Sequence, residues 1–402
     1  VSWHFGAQNN EKELSPSTGP RQSRQRKKKG DNTGHYRDMP YMGPRRAGIL
    51  QLFVSVMGMA VIAVSLWALP LGGTITKILL FFWALAGLLG AIGRKALGLD
   101  AALALLVGAG LLGWVLVGSA DMAAAVRLAG NLVILPLGLA VGMMAGQRCL
   151  WPVMVPVLVY VLIDSEFLLT SEGWRLNNPF LFLALFVMAL AWRTKPNVPG
   201  ETGNAGFLSL AMAVIAVGGI FASQTRIAVL AMAIVLAARI RFTHAWTWLL
   251  GLPLAGLALW AVMDTLPRLL FTHASGRLAY WQMFWQQWWQ GTAQNRWLGF
   301  GAGTIERQLQ HLQTASSFGA LHNDHFHMLY ESGIVGAALW LTGWGMMIWL
   351  VRASRGAVYI LLAVMVTMIT DNTLSYGHYL LCSGLAAGVA WHAQMQADDG
   401  EF

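Results

Sequence analysis

Three residues of this sequence have side chains suited to moving a group off a charged carrier: His322, Arg226 and Arg277. His322 begins the run HNDHFHMLYESGIVG, in which His325 and His327 follow closely. A neutral imidazole titrates near physiological pH and can take a proton from an attacking hydroxyl. Guanidinium groups bind phosphate and diphosphate through paired hydrogen bonds. Arg226 follows SQT at the start of a strongly apolar run, where a cation at membrane depth is costly without a counter-ion or ligand. Arg277 opens GRLAYWQMFWQQWWQ, where Trp281, Phe284, Trp285, Trp288 and Trp289 recur at helical spacing. At an outer membrane face this combination fits transfer of a group from a lipid diphosphate to an alcohol. Blander roles compete: Arg226 as a snorkelling arginine, Arg277 as a surface charge, the tryptophans as an interfacial anchor. The histidines also invite a metal reading, with His322 and His325 at i, i+3 and Asp324 or Glu331 nearby. Histidine beside arginine suits phosphate chemistry better.

The elements that must position these residues are membrane helices. The chain has 402 residues, 56% hydrophobic and only 11% charged. Soluble proteins carry about 25% charged residues, so a cytosolic enzyme, a disordered chain and a secreted disulfide scaffold are excluded. Only Cys149 and Cys382 are present, giving neither a disulfide framework nor a thiolate metal site. A spanning helix needs about 20 apolar residues. Candidates fall at 48–70, 74–93, 99–118, 123–145, 150–170, 179–193, 207–223, 226–240, 245–263, 334–351, 356–373 and 379–395. Strand-type alternation is absent, which argues against a barrel.

Charge sets the expected orientation. The segment before Ala47 holds ten basic residues against four acidic ones, most of the net +9. It reads as a disordered cytoplasmic tail, compatible with anionic lipid headgroups and without nucleic-acid motifs. Part of it is expected to be an over-extended start, since Met39 and Met42 precede the first apolar run. Arg94 and Lys95, Arg148, Arg193 and Lys195, Arg239 and Arg241, and Arg352 and Arg355 fall in alternate loops. Both termini are therefore expected inside. The long outward segment from Asp264 to Gly333 breaks the pattern, with Arg268, Arg277, Arg296, Arg307 and five histidines. Function concentrates in such loops. Within it, WLGFGAG reads as a flexible turn. On one continuous helix His322, His325, Phe326 and Leu329 would share a face.

His322–Asn323, nine residues, Gly333, two residues and Gly336 follow the pattern H-[NSQ]-x9-G-x-x-[GTY]. This resembles the bacterial O-antigen ligases, within a superfamily that also holds Wzy-type polymerases and pilin O-oligosaccharyltransferases. SQTRIAVLAMAIVLA is similar to the family's S-x-S-R helix start, with Thr225 keeping a hydroxyl, and SGRLAYWQMFWQQWW with LGFGAG is similar to its large loop. The resemblance implies an all-α, GT-C-like polytopic bundle of about 12 transmembrane helices. The implied organisation is a tail at 1–46, helices one to nine over 47–263, a periplasmic catalytic loop over 264–333 and helices ten to twelve over 334–402.

It implies a bacterial inner-membrane glycosyltransferase with its site on the periplasmic side. Arg226 and Arg277 would hold the diphosphate of an undecaprenyl-diphosphate-linked glycan. His322 would activate the acceptor hydroxyl, with Asn323 and Glu331 as orienting neighbours. Trp281 and its aromatic neighbours would line the lipid entrance. The reaction would invert at the anomeric carbon, with no metal, cofactor or nucleotide sugar. The first expected acceptor is lipid A–core; a second lipid-linked repeat and a pilin are the alternatives. The short tail after Gln394 argues modestly against a protein acceptor. A transporter is disfavoured by the absence of a clear repeat, and by Asp164, Glu166 and Asp371 lying near outer helix ends. A purely structural membrane protein would not need the arginines and histidines of the loop.

Overall fold

The computed structural model describes residues 47–71, 73–92, 99–119, 121–170, 173–193, 203–240, 277–312 and 321–400. The basic tail and the ninth apolar segment, 245–263, lie outside the described residues.

The other apolar segments are helical. They form α1 (Ala47–Trp67), α2 (Thr74–Ile92), α3 (Leu99–Val117), α4 (Met122–Ala145), α5 (Trp151–Ile163), α6 (Pro179–Trp192), α7 (Gly203–Ala222) and α8 (Arg226–Ala237). After the outward segment come α12 (Asp324–Leu350), α13 (Arg355–Thr370) and α14 (Gly377–Gly400). Local chemistry sets several starts. Asp121 accepts from the Ala124 N–H at α4, Ser354 caps α13, and Pro179 supplies a pre-set φ at the first turn of α6. Three helices are long and apolar enough to cross a membrane: Asp100–Val117, Met122–Cys149 and Asp324–Leu350, with shorter apolar helices beside them. The chain is a helical membrane protein on this composition.

One expectation needs correction. The run 150–170 is not helical throughout. Asp164 closes α5, its N–H bonding to Tyr160 O at 2.8 Å, and Phe167–Thr170 (β1) pairs antiparallel with Gly173–Leu176 (β2). Gly173 takes a left-handed φ of 111° at the turn. Four consecutive strand residues are too few to show alternation, but the polar break of Asp164, Ser165 and Glu166 is where the helix ends.

In the bundle α14 packs against α4, α6 and α13, while α2 packs on α4, α8 on α13 and α3 on α12. Residues 180–189 of α6 are all buried, as expected of a helix apolar all round. At one end, cations close helix C-termini: Arg239 Nη2 donates to Leu190 O at 3.1 Å, and Arg355 Nη2 to Ala237 O at 3.2 Å. Arg352 and Arg148 lie at this end too.

The opposite end carries a cap built from α9 (Arg277–Gln290), α10 (Ala293–Leu298), α11 (Thr304–Leu312) and the first turns of α12. It has its own core of Phe284, Trp288, Ile305, Leu309, Leu321 and Tyr330. Helix α12 is kinked at Gly333, with φ 68° and ψ −172°, where the sequence places the start of its membrane segment.

Candidate functional site

Asn323 starts α12. Its backbone is extended, and its side-chain oxygen accepts from the Phe326 N–H at 2.9 Å. His322 therefore precedes the helix instead of sharing a face with His325. Its φ is 54°, a left-handed conformation that histidine adopts more readily than most residues. Four ties hold it there. The His322 N–H donates to Asn372 Oδ1 at 2.9 Å. Trp281 Nε1 donates to Leu321 O at 2.6 Å, fixing the preceding peptide. Asp324 Oδ2, buried, accepts from the Leu374 N–H at 2.8 Å, and Asn323 adds the cap.

The imidazole Nδ1 of His322 lies 3.5 Å from Asp371 Oδ1. That exceeds a good hydrogen bond but suits an ion pair, and such distances shorten when substrate closes a site. Asp371 Oδ1 is itself held by the Asn372 N–H at 2.8 Å and the Tyr376 hydroxyl at 3.0 Å. Tyr376 stacks on Phe180 with centroids 4.6 Å apart. With Nδ1 turned to the carboxylate, Nε2 is the nitrogen left for another group. The His322 side chain keeps 21% of its surface exposed, so such a group can reach it. Asp371 was placed by sequence only as an acid near a helix end. Its signal was a carboxylate closing an apolar helix in an acid-poor chain.

The other two histidines turn to separate partners. Trp340 Nε1, which can only donate, bonds His325 Nδ1 at 3.2 Å, so the proton of His325 sits on Nε2 and is donated to Met365 O at 3.0 Å. His325 fastens α12 to α13. His327 Nε2 lies 2.9 Å from Glu331 Oε2, one turn on. Among the described residues no group of three His, Cys, Asp or Glu side chains is placed to hold a metal ion.

Glu331 does not reach the His322 ring. Its buried carboxylate accepts from the Gly303 N–H at 2.9 Å and the Ile305 N–H at 3.0 Å, capping α11. The Phe300 and Gly301 N–H groups bond Tyr330 O and Glu331 O at 3.0 and 2.9 Å. The LGFGAG stretch is thus laced to α12, not a flexible turn. The close approach explains Gly333: a Cβ there would strike the Trp297 carbonyl and the Gly299 nitrogen. At Gly336 it would meet Ser332 Oγ and Trp114, whose Nε1 donates to Ser332 O at 2.9 Å.

The aromatic face of α9 divides. Phe284 and Trp288 are buried in the cap, and Trp281 binds Leu321, while Trp285 and Trp289 are exposed and stacked. Trp281, half-buried, is a tether to the residue before His322. Arg226 occupies the first position of α8, is exposed, and has no side-chain partner among the described residues. Helix α8 runs antiparallel to α13, since Arg355 bonds Ala237 at their far ends. Arg226 therefore stands at the end where α13 reaches Asp371. Arg277 opens α9, but its side chain lies outside the described residues.

Residues 211–341 match a family model described as O-antigen ligase. The match contains Arg226, Arg277, Trp281, His322, Asn323, Glu331, Gly333 and Gly336, and ends before Asp371. It supports a membrane enzyme of the O-antigen ligase or polymerase type in general. No curated protein matches the chain.

Proposed function

We propose that the protein transfers a glycan from undecaprenyl diphosphate to an acceptor hydroxyl at the capped, periplasmic end of an inner-membrane helical bundle. The observation that carries this reading is the His322–Asp371 pair, set at a strained residue held by four separate ties. The acceptor oxygen attacks the anomeric carbon and gives its proton to His322 Nε2. Asp371 orients the ring and stabilises the imidazolium formed, in the manner of other histidine–carboxylate pairs. The bond from the anomeric carbon to the diphosphate breaks on the opposite side, so configuration inverts. Arg226 and Arg277 take the charge of the departing diphosphate. The start of α8 adds its unbonded N–H groups to Arg226, an arrangement that favours phosphate. Glu331 and Trp281 act through the backbone, holding the cap and Leu321 in register.

The most fitting acceptor is lipid A–core, making the protein an O-antigen ligase. Deletion of the gene followed by glycan analysis tests this. Loss of capped lipopolysaccharide with accumulation of lipid-linked polymer is the expected result. Single-repeat products would instead assign a Wzy-type polymerase, and unmodified pilin a protein acceptor. The proposed reaction needs neither metal nor cofactor, so chelators should leave the rate unchanged. Inhibition reversed by zinc would contradict that part.

A further inference from the structure

A second polar group lies beside the candidate pair, on the α2–α4 side of α14. Arg127, Asn131 and Ile134 recur at i, i+4 and i+7, so they lie along one stripe of α4. A Cβ built on Gly377, in the first turn of α14, would stand 3.4 Å from Ile134 Cδ1 and 3.6 Å from Lys77 Cγ. The stripe and the lysine stem therefore meet at one place. That place adjoins Tyr376, whose hydroxyl holds Asp371. The ammonium of Lys77 lies within electrostatic reach of Arg127 and Glu306.

The charges here do not balance. Arg127 pairs with Glu306 at 3.2 Å, and Arg307 with Asp121 at 3.0 Å. Lys77 is half-buried, its ammonium has no hydrogen bond or close ion pair among the described residues, and the one carboxylate within its reach, Glu306, is already paired with Arg127. Asn131 Oδ1 is buried without a partner. Turning that amide over would present its two N–H donors there instead, on the stripe that carries Arg127. An ammonium left to share one carboxylate with Arg127 and an orphaned carboxamide both cost free energy, and one anionic ligand relieves both.

We propose that Lys77, Arg127 and Asn131 form an anion-binding subsite for a phosphate or carboxylate group on the acceptor amphiphile. Naming the acceptor rests on the glycan-transfer reading; the anion site itself does not. Helix α14 packs against both α4 and α13. Lys77 and Arg127 thus reach α14 through α2 and α4, and Arg226 through α8 on α13. In an inverting displacement the nucleophile and leaving group approach from opposite faces of the anomeric carbon. With the diphosphate on the arginine side, the anion facing Lys77 belongs to the acceptor.

Binding to the full chain in detergent micelles tests this without reading transfer. The probes are a phosphorylated disaccharide lipid, its dephosphorylated counterpart, undecaprenyl diphosphate and phosphatidylglycerol. Lys77→Gln should raise Kd for the phosphorylated lipid about tenfold, the worth of one charge-assisted hydrogen bond. It should leave the dephosphorylated lipid and undecaprenyl diphosphate unchanged, and Lys77→Arg should restore binding. Asn131→Ala, which keeps every charge, should weaken the phosphorylated lipid about threefold. An unchanged Kd in both Lys77→Gln and Asn131→Ala, at unaltered melting temperature, overturns the subsite and leaves the His322 assignment standing. Equal loss of undecaprenyl diphosphate would give the anion to the donor. Equal loss of phosphatidylglycerol would reduce the site to general headgroup binding. Either result overturns the acceptor assignment.

Discussion

In the bundle, Gly138 and Gly142 of α4 face Gly384 and Gly388 of α14 so closely that a Cβ on any of them would strike the backbone of the other helix. The cap is held together in another way. Its core is aromatic, with Tyr330 stacked on Phe300 at 4.6 Å and edge-on to Phe284 at 5.1 Å. The Tyr330 hydroxyl donates to Gln287 Oε1 at 2.9 Å, and Glu331 joins the cap to α12 through backbone N–H groups. Apolar surface gains little by leaving lipid for protein, so membrane helices associate through small residues and close backbones. The cap has water to leave, so it can use large side chains and directional polar ties. The candidate base sits where the two modes meet, at the first residues of α12.

That contrast makes separable predictions. Tyr330→Ala should cost the cap about 4 kcal/mol, from a lost aromatic body and its cavity. Hydrogen exchange should rise across residues 281–332 while α4 and α14 stay protected. Exchange rising equally in both would mean the cap and bundle form one cooperative core. Gly388→Leu should act in the reverse sense, costing about 3 kcal/mol by overpacking the α4–α14 seam. It should lower the melting temperature of the whole protein without selective loosening of the cap. Trp281→Phe removes the bond to Leu321 O, about 1 kcal/mol, and trims a half-buried ring at the edge of the cap core. It should slow transfer by misplacing His322 while melting barely moves. Arg307→Gln, at an exposed pair with Asp121, should change stability by less than about 1 kcal/mol. A larger loss would make the ion pairs of α11 part of the cap's anchorage.

Much of this architecture is written in hydropathy, and the segment boundaries follow it closely from α1 to α4 and from α12 onward. The β-hairpin was hidden because Phe167–Thr170 is too short to show alternation, although Asp164, Ser165 and Glu166 break the apolar run before it. The seam between α4 and α14 was present as GLAVG and GLAAG, two small-xxx-small repeats that hydropathy treats as ordinary apolar residues. Within the site, His322, Gly333 and Gly336 were legible through their spacing. The left-handed turn at His322 was not, because it depends on Asn372 and Trp281, remote in sequence. Asp371 was hidden for the same reason: its partner lies 50 positions from its neighbour Asn372. Glu331 and Trp281 stood out in the sequence, but their contacts were not legible there. Both work on backbone groups, which carry no signature in residue type.

The central claim is that His322, oriented by Asp371, removes the acceptor proton. The initial rate of glycan transfer by purified His322→Ala, with lipid-linked donor and acceptor supplied, tests it most directly. The account predicts a rate roughly 10²- to 10⁴-fold below wild type at an unchanged melting temperature, the usual scale for losing a general base. Transfer within about twofold of wild type, on that same scale, would contradict it.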